Sequence, residues 1–257
     1  MGLESLFAFT MLGGLAAGTY VFETVLRKTR EGDRPWLVPL AVVVLFAVGL
    51  AAAATHVHSF AHAFDSLFSG TVNFGAGMVH EVAVSGLFFV LALIDLIVTF
   101  AKKGSPFALR VVTAIVALVC IVLMGAAYID ILGNSVWCNA PATVISFVGG
   151  GLAMGLALFA VLDSEGFSTG ISRVMGLIVN IVLAVGIALE IMAFSDAGLD
   201  PMMQIVALVI APAASCVLLG VATKASNARM IAIAICVLTV VGVAISRWAF
   251  YATSAMM

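Results

Sequence analysis

The chain has 257 residues, 64% of them apolar and only 9% Asp, Glu, Lys or Arg, where an ordinary soluble domain is about half apolar and a quarter charged. With mean hydropathy at +1.26 and repeated apolar runs of about 20 residues, lipid solvates most of it, which excludes a soluble enzyme. A net charge of −2 without a basic tract argues against nucleic acid as a partner.

Runs long enough to cross roughly 30 Å of hydrocarbon as helix are predicted at residues 3–26, 36–57, 80–101, 107–132, 141–162, 174–195, 202–222 and 230–253. The expected fold is therefore all-α, a bundle of eight transmembrane helices forming one integral membrane domain over residues 1–257. The first run begins with Glu4 and no basic residue, and Arg27, Lys28 and Arg30 follow it, so it reads as a retained span rather than a secretory leader. Pairs Gly14/Gly18 and Gly151/Gly155 have the small-xxx-small spacing that lets helices approach closely. Pro212, inside the seventh run, is the clear interior proline.

Basic residues set the expected orientation. Arg27, Lys28, Arg30 and Arg34 follow the first span, Lys102, Lys103 and Arg110 flank the third connection, Arg173 the fifth, and Lys224 and Arg229 the seventh. The second, fourth and sixth connections hold none. Odd connections then face the cytoplasm and both termini face outward. Trp36, Trp137 and Trp248 near predicted helix ends fit an interfacial aromatic belt.

Some chemistries lack their residues. Cys120, Cys138, Cys216 and Cys236 contain no C-x-x-C pair, so no iron–sulfur cluster or zinc site is expected in this chain, and three of the four lie in apolar spans as inert thiols. No phosphate-binding loop occurs, since Gly149, Gly150 and Gly151 lie within a span.

An ionisable side chain at bilayer depth costs about 2.5–3.5 kcal/mol on insertion scales, so each needs a partner or a polar cavity. Most gather at the outer ends of the predicted spans: His56, His58, Glu81, Tyr128, Asp130, Glu190, Arg247 and Tyr251. Arg247 alone breaks the basic pattern, and Glu81, Asp130 or Glu190 is its expected acidic partner. Glu23 and Asp95, at the opposite ends, read as interfacial. The four histidines His56, His58, His62 and His80 flank the second connection. Because the second and third spans are consecutive and antiparallel, His56 and Glu81 can stand side by side at one depth. An imidazole and a carboxyl there suit proton acceptance and hydrogen bonding to a quinone head group. Haem is not expected, because its axial histidines should face each other from different spans.

These residues also carry a resemblance. The run His56-Val57-His58-Ser59-Phe60-Ala61-His62-Ala63-Phe64-Asp65-Ser66-Leu67, then Glu81 and Ser85-Gly86-Leu87-Phe88-Phe89, resembles the membrane-anchor subunits of dimethyl sulfoxide reductase type molybdoenzymes, the DmsC-like family. Their pattern is H-L-G-S-P-x-R-A-F-N-S-L, then N-E and G-x-F-F. Tyr128, Trp137, Asn139 and Pro141, and Arg247-Trp248-Ala249-Phe250-Tyr251, are similar to later family motifs. His58, Phe60, His62 and Asp65 stand where the family has Gly, Pro, Arg and Asn.

The resemblance implies a multi-pass anchor in the cytoplasmic membrane that oxidises menaquinol, passes electrons to an iron–sulfur subunit and on to a molybdopterin catalytic subunit on the outer face, and releases protons outward. His56 and Glu81 match the family's quinol-site positions. His58, Tyr128, Arg247 and Tyr251 are candidates for supporting that site, and His62, Asp65 and Trp137 for touching a partner. The chain would draw on the quinone pool and hold no metal or haem of its own. Two rival readings are a secondary transporter using Glu190, Arg247 and Asp95, which should sit near the midplane on broken helices, and a tether that never touches quinone.

Overall fold

In hydrocarbon every backbone N–H and C=O must bond within the protein, so apolar spans become helices. The computed structural model describes residues 3–27, 34–55, 69–70, 75–131, 133–163, 167, 170–222 and 228–256. Eight helices in it are long and apolar enough to span a membrane: α1 (Leu3–Leu26), α2 (Leu37–Ala54), α3 (Gly77–Lys102), α4 (Phe107–Ala126), α5 (Ala140–Leu162), α6 (Gly170–Asp196), α7 (Met202–Ala222) and α8 (Ala228–Ala252). No strand occurs among the described residues. The chain is an all-α, multi-pass membrane protein, as expected.

Helix ends follow local chemistry. α4 stops at Ala126 rather than near 132, because the backbone tightens there: the Tyr128 and Ile129 amides donate to the carbonyls of Gly125 and Ala126, each at 3.2 Å. The Asn139 side chain caps α5 by accepting from the Ala142 amide at 3.2 Å, and Pro141 sits in the first turn, where its missing N–H is no loss. Pro212 does not break α7. Residues Val209–Ala213 widen into a π turn around it, and the helix resumes at Ala214.

α1 and α5 form the buried centre, and α2, α4, α6 and α8 pack around them. The crossing is made by the spaced glycines, which face each other. A Cβ on Gly18 would lie 2.1 Å from the Gly151 carbonyl oxygen, and one on Gly155 2.1 Å from the Gly18 carbonyl carbon. Only hydrogen fits there.

Residues of the first, third and fifth connections meet at one pole. Arg27 pairs with Asp163 at 2.9 Å, tying the end of α1 to the end of α5. Arg110, 1% exposed, donates to the carbonyls of Glu23 and Arg27 at 3.1 and 2.7 Å, placing a cation on the α1 C-terminus, where the helix dipole favours it. Glu23 and Asp95 lie at this pole too, but buried in protein rather than exposed at an interface. Asp95 accepts from the Ser105 hydroxyl across the turn after α3. The start of α1 and the end of α8 meet at the opposite pole, Phe7 packing edge-on against Trp248 at 5.5 Å.

Two substitutions at the basic pole should differ. Arg110→Leu removes charged hydrogen bonds from buried carbonyls and should cost about 1.5–3 kcal/mol. Arg27→Ala breaks a partly solvated ion pair and should cost under about 1 kcal/mol. Denaturant unfolding of the purified protein reads both, and equal losses would contradict this ranking.

Candidate functional site

A cavity of about 260 Å³ opens at the pole opposite the basic one, where α1, α2, α3 and the turn after α4 converge. Its apolar wall comes from Leu6, Phe9, Leu50 and the small residues Ala53 and Ala54, whose short side chains leave the space open. Met78 and Val82 also line it and are 49% and 67% exposed, so it reaches the flank of the bundle that lipid would cover. Three polar residues project from the same walls: Glu81, Ser85 and Tyr128.

Glu81 lies on the first turns of α3, one turn before Ser85, so both share a helix face. Its side chain is buried, 7% exposed, and its Oε1 finds no hydrogen-bond partner among the described residues. Leaving a buried polar atom unpaired costs about 1–3 kcal/mol, and such atoms call for an explanation beyond packing. Ser85 is already engaged, its hydroxyl 3.3 Å from the Cys120 thiol.

Tyr128 reaches the cavity from the turn after α4. Its hydroxyl accepts from Tyr251 at 2.8 Å, and Tyr251 lies 3.1 Å from the Thr10 hydroxyl, so α8 and α1 both hold it. Around this trio Trp137, Phe147 and Phe250 pack with ring centroids 5.3–5.8 Å from Tyr128. Trp137, expected to face a partner, is 5% exposed: its indole N–H donates to the Phe250 carbonyl at 2.9 Å, and its ring stacks on Phe250. Asn134 fixes this corner, accepting from the amides of Val136 and Trp137 and donating to Thr253 at 2.9 Å.

Arg247 does not meet an acid, and that expectation is corrected. Its guanidinium donates to the Thr10 carbonyl on α1 and the Phe147 carbonyl on α5, and lies 4.6 Å over the Phe147 ring. Among the described residues it forms no ion pair. Glu190 instead accepts from Ser146 and Ser246 at 2.5 and 2.6 Å, and Asp130 is exposed in the turn after α4. Carbonyl dipoles and a ring face hold Arg247, and serine hydroxyls hold Glu190; the two charges still attract each other electrostatically without closing to an ion pair, which avoids a bridge whose Coulomb gain must exceed the desolvation of both ions. Neither Arg247 nor Glu190 lines the cavity.

The structure thus brings Glu81 and Tyr128 together on one cavity, with Tyr251 bonded to Tyr128 behind its wall and Arg247 bracing Thr10 beyond. His80 is exposed at the start of α3. His56, His58, His62 and Asp65 lie outside the described residues. Sequence reading missed Thr10, Ser146 and Ser246, because a hydroxyl in an apolar span gives no signal until its neighbour across the bundle is known. Among the described residues no cluster of His, Cys, Asp and Glu could hold a metal ion.

The arrangement is an apolar slot on the bundle's flank, with a phenol and a carboxyl whose Oε1 has no partner among the described residues on its wall. It can receive a ring with polar oxygens and take a proton from it. The family model for the DMSO reductase anchor subunit (DmsC) matches residues 2–253. No curated protein matches the chain.

Proposed function

The chain belongs to the family of DMSO reductase anchor subunits, and from that premise we propose that it is the quinol-oxidising anchor of a molybdopterin oxidoreductase complex. Menaquinol docks its head group in the cavity beside Glu81 while its tail stays in lipid. A volume of about 260 Å³ falls just under the roughly 300–1,000 Å³ of sites that enclose a whole small molecule, which suits a head group alone. As the quinol becomes a quinone it gives up two protons to His56 and Glu81 and two electrons to an iron–sulfur subunit, which feeds a molybdopterin catalytic subunit. The protons leave outward, on the face of the cell membrane where both partners sit.

The observation that carries this reading is the unpartnered Glu81 Oε1 in a cavity open to the lipid flank. A carboxyl held that way is available to a ligand instead of to the fold. Neither rival gains such support: Glu190 and Arg247 are bonded to neighbouring helices, and a tether gives no reason for an unpaired acid.

In the complete complex, a short-tailed naphthoquinol should bleach the partner's iron–sulfur absorbance within a turnover, and a quinone analogue should block it. A complex that assembles with its clusters yet is not reduced by quinol would support the tether. Solute uptake by vesicles of this chain alone would support the transporter.

A further inference from the structure

Tyr128 has a use that its packing leaves open. In the hydroxyl chain on the cavity's far wall, Tyr251 donates to Tyr128. The Thr10 hydroxyl, which donates to the Phe7 carbonyl at 3.2 Å, lies 3.1 Å from the Tyr251 hydroxyl and packs against it from behind. Arg247 holds the Thr10 carbonyl and so keeps α1 beside α8, which holds Tyr251 in place behind Tyr128. Tyr128 therefore accepts on its inner side, and its own proton has no acceptor among the described residues. The phenol is 4% exposed, and the space in front of it is the cavity that Glu81 also lines.

We infer that Tyr128 is the hydrogen-bond donor that holds a ring oxygen of the quinone, opposite the proton-accepting Glu81, and that Tyr251 and Thr10 are positioning residues that aim its proton into the cavity. This rests on the quinol reading of the cavity. The two walls then have complementary chemistry. A quinol hydroxyl can donate toward Glu81 and accept from Tyr128. Once oxidised, the ring oxygen can only accept, so the Tyr128 contact persists and strengthens, while the Glu81 contact must reverse, with the newly protonated carboxyl donating until its proton is released. The phenol accordingly favours the quinone form more than the quinol form. Chained hydroxyls polarise one another, which makes the terminal donor stronger than an isolated phenol.

The test uses the complete complex in membranes with a short-tailed naphthoquinone carrying ¹³C at its carbonyls. Tyr128→Phe keeps the ring and removes only the donor. It should weaken naphthoquinone binding about tenfold, the effect of one hydrogen bond, raise the KM for the naphthoquinol by less, and shift one labelled carbonyl band to higher frequency. Tyr251→Phe leaves the Tyr128 proton in place but without its aim, so the low-frequency band should survive there, broadened and moved only part of the way. Glu81→Gln controls for the underlying reading. If it oxidises quinol normally, the site assignment falls and this inference with it. If Glu81→Gln fails while Tyr128→Phe binds naphthoquinone as tightly as the parent with an unshifted band, the donor role alone is overturned. Loss of the low-frequency band in Tyr251→Phe as well would also overturn it, since a purely structural network predicts that result.

Discussion

Glu81→Gln is expected to lower quinol-linked turnover by at least about a hundredfold, the lower end of what a positioned proton acceptor contributes, while the complex stays assembled in the membrane. Gln matches Glu in shape and can still hydrogen-bond a quinol oxygen, but it cannot take the proton. The fold should not suffer, because Oε1 bonds nothing among the described residues and α3 packs at this level through Phe88 and Ser85 instead. Neutralising a buried carboxyl whose Oε1 has no partner among the described residues relieves a desolvation cost, so thermal stability should hold or rise. Residue 56 should behave alike: His56→Asn keeps one hydrogen-bonding edge and loses the titrating ring. Stopped-flow reduction of the partner clusters, together with quantitation of the assembled complex, separates chemistry from assembly. Wild-type reduction rates in both variants would remove the site.

The architecture was legible in the sequence because it depends on composition within single segments. Eight apolar runs gave eight helices with ends shifted by a few residues, since the hydrocarbon requirement acts on each run separately. The grouping of Arg27 and Arg110 at one pole followed from counting spans and charges, whereas the pairing of Arg27 with Asp163 did not. The cavity was legible only through Glu81, an acid too costly for an apolar helix unless something uses it. What stayed hidden depends on pairs of helices. Arg247 was visible as an anomaly, but nothing in the sequence shows that it satisfies itself on the carbonyls of Thr10 and Phe147, because every helix offers carbonyls and only packing decides which are near. Trp137 misled for the same reason. An aromatic near a helix end reads equally as an interfacial anchor or as part of a core, and the choice lies with Phe250 and Asn134, more than a hundred residues away or in the adjoining turn.

That same dependence on packing makes the α1–α5 crossing the position where one methyl should do most damage. Gly155→Ala puts a Cβ 2.1 Å from the Gly18 carbonyl carbon and 2.4 Å from its Cα and from the Thr19 amide nitrogen. All three obstacles are backbone, so no rotamer change relieves them and the two central helices must move apart. Ordinary overpacking costs about 1–3 kcal/mol, and a clash with no yielding side chain should exceed that. Separation would also pull α1 from the groups that Thr10 holds, Tyr251 through its hydroxyl and Arg247 through its carbonyl, and so misalign the wall of the cavity with Tyr128. Gly155→Ala should therefore prevent accumulation of the assembled complex. Gly14→Ala, on the same face of α1, meets only ordinary contacts of 3.4–3.5 Å and should assemble nearly as the parent does. Gly86→Ala, with nothing within 4 Å, should be neutral or slightly stabilising, because alanine favours helix over glycine by roughly 1 kcal/mol. Quantifying membrane-bound complex across the three variants checks the ranking. Full assembly of Gly155→Ala would mean that the two backbones do not touch, and the route by which α1 braces the cavity would have to lie elsewhere.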